Sequence, residues 1–295
     1  MISVVIPAYN RRESVLALLG DVCNQHGVDF EVIVVDDNST DGTADAVRAK
    51  YQKVIVLRNE VNRGPAVTRN LGIRAARGAI VVGFDSDVRL PQNSLLRLIE
   101  QRFRALPQVT AFAFRILQAD GQTEDVDRWW HPVRVEKYAA RPFFTSYFSG
   151  TAYAMRREPM IAAGLFPEDI FMHYEEVELA FRLLDAGGSI MYLPEAVVHH
   201  HENKVSRRSE VKAFYKPRNQ VLLAISLLPW RRAITYVAPR LTYQFLFALR
   251  HGHLGSFIRA LRSAVSMTPS RLRQRRPLKP STFRTLARLK SGSLG

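Results

Sequence analysis

A chain of 295 residues with 47% hydrophobic side chains is long enough for one large domain or two modest ones around an ordinary globular core. Its single cysteine, Cys23, excludes a disulfide framework and, with it, the small secreted scaffolds that depend on one. The net charge of +15 is uneven: residues 1–203 hold 22 Lys and Arg against 26 Asp and Glu, whereas residues 204–295 hold 20 against one acid, Glu210. Nucleic acid and an anionic membrane surface are the two partners that such a basic tail fits, beside the plainer reading of a solvated charged face.

The N-terminus, Met1-Ile2-Ser3-Val4-Val5-Ile6-Pro7, has no basic leader ahead of a long apolar stretch and is expected to be a strand, not a signal peptide. Ile2 to Ile6 is a continuous run suited to burial on both faces. Asn10 ahead of Arg11-Arg12-Glu13 reads as a helix start, and Val15, Leu18, Leu19 and Val22 form one helical stripe. Glu31 to Val35 predicts a second strand, Val54 to Leu57 a third, Pro65 to Ala76 a helix and Ala79 to Phe84 a fourth strand. This alternation predicts an α/β fold with a mainly parallel central sheet flanked by helices. In such sheets ligands sit beyond the carboxyl ends of the strands, where the polar clusters of this sequence lie. Further on, Ala111 to Leu117 predicts a strand, Ala119 to Gln122 a hairpin turn, Glu176 to Ala186 a helix, and Ile190–Leu193 and Ala196–Val198 two short strands.

After about residue 204 the apolar runs are too short or too interrupted to cross a membrane, which needs about 20 apolar residues. Leu254, Phe257, Ile258, Leu261 and Val265 instead mark an amphipathic helix with Arg259 and Arg262 on its polar side. It is suited either to a membrane interface or to packing on the main domain. The last 25 residues are expected to be partly flexible.

Four clusters carry chemistry. Asp85-Ser86-Asp87 follows a buried strand, and residues two apart in extended chain face the same way, so both carboxylates can converge on Mg²⁺ or Mn²⁺. The competing role is a helix-capping turn before Pro91. Asp36 and Asp37 close the second strand, where acids accept hydrogen bonds from a nucleobase or a ribose, or else cap the helix after Thr43; Asp41 is the better cap. Glu175, Glu176 and Glu178 open a helix, as favourable charge at its positive end or as a cleft with one carboxylate acting as base. In His199-His200-His201, one ring, His200 by preference, is placed to ligate a metal or contact phosphate; a polar strand edge is the alternative.

These residues resemble the family 2 glycosyltransferases of the GT-A fold. The resemblance spans about residues 2–220 and rests on motifs in fixed order: Val5 to Asn10, Val35 to Thr43, Asn62 to Ala66 with Arg69 to Gly72, and Phe84 to Asp87. They continue with Phe148 to Ala152, Gly164 to Phe166, Glu175 to Leu179 with Arg182, and Leu193 to Glu195. Arg218-Asn219 resembles a pair in the rhamnosyltransferase-like branch. The resemblance implies a glycosyltransferase domain over 1–220, nucleotide-sugar-binding over 1–105 and acceptor-binding over 106–220, followed by a basic helical region over 221–295.

It also implies roles. Pro7, Tyr9, Asp36 and Asp37 would line the nucleobase site, Arg69 would reach the ribose or phosphate, and Ser86 would lie at the nucleotide sugar. Asp87, with Asp85 and His200, would hold the metal that bridges a diphosphate. Glu176 stands where the family usually has a catalytic Asp, and keeps the carboxylate on a longer arm. Glu175 and Glu178 would back it, with Gly150, Thr151 and Arg218 toward the acceptor. Gly150 departs from the glycine-rich form of many relatives. The implied reaction is inverting, metal-dependent transfer of one sugar from a UDP-, GDP- or dTDP-linked donor to a lipid-linked or glycan acceptor, in bacterial cell-envelope polysaccharide or glycolipid assembly. The Gln-x-x-Arg-Trp signature of processive polymer synthases is absent. The expected location is cytoplasmic, peripheral on the inner face of the membrane. Two rivals fit less well. A nucleotidyltransferase would need a Gly-rich loop after the first strand, where Pro7-Ala8-Tyr9-Asn10 stands, and the tail's aromatics do not form a platform for nucleic acid.

Overall fold

The computed structural model describes residues 1–201 and 209–290. Its first half alternates strand and helix as β1 (Ile2–Ala8), α1 (Arg12–Cys23), β2 (Phe30–Asp36), α2 (Thr43–Lys50), β3 (Ile55–Arg58), α3 (Pro65–Ala75) and β4 (Ile80–Phe84). The short β5 (Val88–Arg89), α4 (Leu95–Ala105) and β6 (Ala111–Gln118) follow, then α5 (Val135–Tyr138), β7 (Phe143–Thr145), β8 (Ala152–Arg156) and α6 (Arg157–Ala162). The sheet region closes with α7 (Glu175–Asp185) and β9 (Ile190–His200), and the basic region forms α8 (Ser209–Leu227), α9 (Trp230–Arg250), α10 (Leu254–Arg273) and α11 (Pro280–Lys290).

One sheet runs β3-β2-β1-β4-β8-β6-β9-β5, with β7 also paired to β9. The strands β3, β2, β1 and β4 are all mutually parallel, as their continuous apolar runs predict. Along β1, alternation sends Val4 and Ile6 to the face covered by α1 and α4, and Val5 to the face covered by α3 and α7. Antiparallel pairing enters where β8 joins β4 and β6, while β6 and β9 are again parallel. The chain leaves β1 toward β2 on one side and returns in β4 on the other. The loops after β1, β2 and β4 therefore meet over one crevice.

Three local expectations are corrected. Asn10 does not cap α1: it has φ +50°, and its side-chain oxygen accepts from the Thr40 backbone N–H at 2.8 Å, tying the β1 and β2 loops together. The two short strands expected over 190–198 are one, β9, whose register against β6 shifts between Phe114 and Arg115. The bulge falls at Pro194-Glu195-Ala196, where proline has no N–H to give the ladder. The tail forms the end of α10 and, after a non-helical link over 274–279, α11, whose Leu289 is buried in the core cluster beside α7; residues 291–295 lie outside the described residues.

The stripe expected on α10 is split. Phe257 packs with Ala213 and Ala248 and Leu261 sits at its edge, whereas Leu254, Ile258 and Val265 stay exposed. No helix among the described residues is long and apolar enough to cross a membrane. Arg271 of α10 locks this region to the core: its guanidinium meets both Glu178 oxygens at 3.0 and 2.8 Å, and it also bonds Asp169 and the Ser226 hydroxyl. Arg271 and Glu178 are 3% and 6% exposed in their side chains, so losing one partner strands a buried charge. Arg271→Ala is expected to cost about 3–5 kcal/mol in urea unfolding; a midpoint unchanged from the parent would remove this pair as the anchor.

Candidate active site

The loops at the sheet's carboxyl edge line two adjoining cavities. One, of about 450 Å³, is walled by Pro7, Tyr9, Asp37, Ser86, Asp87 and His200 among others; the second, of about 380 Å³, by Arg69, Trp130, Tyr147, Thr151, Glu175 and Glu176 among others. Pro65, Asp85, Arg128 and Met172 line both, so they form one continuous cleft.

In the first half Asp37 is a scaffold acid. Its Oδ1 accepts from Asn59 Nδ2 at 2.7 Å and the Arg63 N–H at 2.9 Å, and its Oδ2 from the Gly64 N–H at 2.8 Å. Gly64 holds φ +85°, and a Cβ there would lie 2.6 Å from the Phe171 ring, so this sharp entry to α3 requires glycine. Asp36 does not line the cleft. It is fully buried, accepts from the Ser39 N–H, and lies 3.3 Å from Arg58 Nε. It closes the β2 turn, a correction to its expected place at a nucleobase. Asp41 holds the start of α2 through the Thr43 N–H at 3.0 Å, as expected.

Asp85 and Asp87 have different partners. Asp85 Oδ1 accepts from Arg69 Nη2 at 2.7 Å, while Asp87 Oδ1 lies 3.6 Å from His200 Nε2. The other ring nitrogen, His200 Nδ1, meets Asp125 Oδ2 at 2.8 Å. Burial opposes charge on His200, but Asp125 and Asp87 outweigh it and raise its pKa to about 9; in return the ring holds Asp87 low against its own burial. A carboxylate behind a histidine is the arrangement that aims the far nitrogen at a metal. Strand alternation selects His200 from the triplet: it is 4% exposed, whereas His201 is exposed. Among the described residues no three His, Cys, Asp or Glu side chains form a ready-made cage. Mg²⁺ is commonly held by one or two protein groups with phosphate oxygens and water completing its shell, so Asp87 fits a cation that arrives with a diphosphate, and His200 joins it once the cation displaces the proton on Nε2. Asp85, held by Arg69, fits that role less directly than expected.

Across the cleft, Arg69 lies 3.6 Å from Glu175. Burial lowers its basicity, but the charges of Asp85, Glu176 and Glu175 outweigh this and hold it cationic. Burial and the neighbouring Glu176 charge push the Glu175 carboxyl well above the usual range, which favours one negative charge on the pair. Glu176 faces the second cavity and accepts from the Gly150 N–H at 3.2 Å. A Cβ on residue 150 would stand 2.5 Å from Glu176 Oε1 and 2.8 Å from Arg69 Nη2. Gly150→Ala must therefore displace the carboxylate. A drop in kcat on the order of 10²-fold with the fold retained is expected, because misplacement by about 1 Å has that effect; steady-state kinetics beside a matched circular dichroism spectrum check it.

The acid pair follows a strained loop. His173 and Tyr174 both hold left-handed φ, +65° and +76°, a costly state for non-glycine residues that persists only under outside support. Asn219 of α8 supplies it, its amide donating to the Met172 and His173 carbonyls at 2.7 Å each, and Gln220 donates to the Tyr174 hydroxyl. Glu178 is turned away to Arg271 and does not back Glu176 as expected, and Arg218, expected toward the acceptor, stacks on Phe214 and Tyr215. Thr151 lines the cleft, and its carbonyl accepts from the Asp85 N–H at 2.9 Å.

Asp125, Arg128, Trp130 and Tyr147 escaped the sequence reading, and Asn219 entered it as half of the Arg218-Asn219 pair with no role assigned. For the first three the signal was the run Asp125-Val126-Asp127-Arg128-Trp129-Trp130, acids and tryptophans together in a segment without strand or helix periodicity.

A parallel half-sheet whose carboxyl-end loops join acids, a histidine and a carboxylate pair in one cleft defines the GT-A class of nucleotide-sugar folds. The model for "Glycosyl transferase family 2" matches residues 3–163, and the chain belongs to that family. It is 34% identical over 123 residues to the "Succinoglycan biosynthesis protein ExoO" of Rhizobium meliloti, covering 41% of this chain and 35% of that protein. It is also 34% identical over 107 residues to the "Undecaprenyl-phosphate 4-deoxy-4-formamido-L-arabinose transferase" of Aeromonas hydrophila, covering 34% and 33%. The matched segment thus spans about a third of the length of these relatives. The fold is similar to that of the mannosyltransferase PcManGT from Pyrobaculum calidifontis, solved with GDP-Man and Mn²⁺, at a TM-score of 0.60 and 22% identity over 99% of this chain and 85% of that one.

Proposed function

We propose that this protein transfers a single sugar from a nucleoside diphosphate sugar to an acceptor hydroxyl, with inversion, in cell-envelope polysaccharide or glycolipid assembly. The observation that carries the reading is the shared cleft: Asp87 and His200 line one half, Glu176 the other, and Asp85 both. The nucleotide fits the half walled by Pro7, Tyr9 and Asp37, and the sugar and acceptor the half walled by Arg69 and Glu176.

The Glu176 carboxylate takes the proton of the acceptor hydroxyl as that oxygen bonds the anomeric carbon from the face opposite the leaving group. The bond from the anomeric carbon to the phosphate oxygen breaks in the same displacement, and the nucleoside diphosphate leaves with its electron pair. Arg69, kept cationic by three carboxylates, orients Asp85 and Glu175 and keeps the acidic cluster compact. Burial and the Glu176 charge work against ionisation of Glu175, which lessens the like charge beside Glu176. Asp87 and His200 would hold Mg²⁺ or Mn²⁺, which offsets negative charge on the departing diphosphate. The relative solved with GDP-Man and Mn²⁺ supports a donor and metal of this kind.

The thermal midpoint is expected to rise with one of a panel of UDP-, GDP- and dTDP-sugars, and to rise more with Mn²⁺ than with a chelator. A flat response to the whole panel, with no nucleotide released in the presence of candidate acceptors, would sink the reading. The exposed apolar Ile234, Leu246, Leu249, Ile258 and Val265, on helices with almost no acid, support peripheral attachment to an anionic membrane. The protein is expected to float with anionic liposomes at low salt and to separate from them as salt rises; retention in the soluble fraction at low salt excludes attachment.

A further inference from the structure

Behind the catalytic cleft lies a cavity of about 600 Å³, bounded by α7, α9, α11 and the loop carrying Trp130. That volume falls within the roughly 300–1,000 Å³ of small-molecule sites. Its floor is apolar and aromatic, formed by Val177, Phe181, Leu228, Tyr236, Phe283 and Leu286. Among the described residues no carboxylate lines it, whereas Arg232, Arg240 and Lys290 do. The two arginines are braced on the floor: Arg232 lies 4.1 Å over the Phe283 ring, and Arg240 3.8 Å over Tyr236, donating to that residue's carbonyl at 3.0 Å. Neither has a carboxylate partner among the described residues. Trp130 and Tyr147 line both this cavity and the half of the cleft that holds Glu176.

We infer that this groove is the seat of the acceptor's lipid phosphate: an apolar chain lies on the aromatic floor, its phosphate is gripped by Arg232 and Arg240, and its head group passes Trp130 and Tyr147 toward Glu176. Charge complementarity selects the occupant. An apolar chain alone would leave the exposed, braced cations to water, a sugar or nucleotide would leave the floor unused, and a cationic or zwitterionic head would meet three like charges. The inference rests on the reading of Glu176 as the base of a sugar transfer, and it adds a site that the nucleotide cleft does not contain.

The test uses the full chain and a soluble probe, farnesyl phosphate below its aggregation concentration, with farnesol and inorganic phosphate as controls, followed by calorimetry. Farnesyl phosphate is expected to bind at least ten-fold tighter than either control. The double variant Arg232→Ala/Arg240→Ala should bring its affinity down to that of farnesol. Ala287 and Thr235 are exposed residues on the groove's wall, so Ala287→Trp and, independently, Thr235→Trp should plug it without disturbing the core and lose the probe altogether. Nucleotide-sugar binding is measured on the same samples and should be unchanged in all of these variants. Farnesyl phosphate binding that survives both plugs, or that does not exceed the controls, overturns the groove while leaving the donor cleft standing. Sugar transfer that persists in Glu176→Gln with groove binding intact overturns the catalytic reading alone.

Discussion

Glu176→Gln is expected to lower kcat by about 10²–10⁴-fold, the range that general-base catalysis supplies, while donor affinity stays within about two-fold. The substitution is a narrow one in this setting. A glutamine oxygen can still accept from the Gly150 N–H, so the side chain keeps its place and loses only its capacity to take a proton. The neighbouring acid does not replace it. Glu175 is 3% exposed and packed against Arg69. Neutralising residue 176 removes the like charge that pushes the Glu175 carboxyl up, so Glu175 ionises more readily and balances Arg69 in the variant. The cluster therefore stays folded without its base. Calorimetry with the donor beside single-turnover transfer separates the two quantities; transfer at the parent's rate, or lost donor affinity with chemistry preserved, would remove Glu176 from its role.

Asp87→Ala has the second large effect. Donor affinity in Mn²⁺ is expected to fall on the order of 10²-fold or more, toward the value measured in chelator, because loss of even an outer-shell partner of a metal site costs about 10–100-fold. Asp87 shares with His200 the cation site proposed above, while Asp85 stays engaged with Arg69. Asp87→Asn keeps the shape without the charge and should fall nearly as far. Titrations with and without chelator that coincide for parent and variant alike would refute the assignment.

The parallel half of the sheet was legible because its strands are buried on both faces and read as unbroken apolar runs. Asp85 and Asp87 were legible for the same reason, since a buried strand fixes where its last residues emerge. Glu176 needed the helix start and the order of motifs around it. Glu178 was expected to back Glu176, but two residues on, at about 100° per residue, it points some 200° away and meets Arg271 instead. Asp36 misled because the adjacent Asp37 does line the cleft, and only the Arg58 contact from β3 reveals which way Asp36 turns. Asp125, and what Asn219 holds, were hidden for a different reason. Each acts on a residue 75 or 46 positions distant, and no local period encodes a partner so remote.

The amides of α8 bear on how this molecule can be dissected. The family match ends at residue 163, ahead of Glu176 and well ahead of Asn219 and Gln220. A fragment trimmed before α8 would keep Pro7, Tyr9, Asp37, Asp87 and His200 in the proposed donor half and lose Val211 and Tyr215 from its wall, yet the left-handed pair at 173 and 174 would be free to relax and carry Glu176 with it. Nucleotide recognition and turnover should thus part company on truncation, and scanning mutagenesis confined to the matched segment would sample Gly150 while missing both the Glu176 it positions and the amides that brace the loop before it.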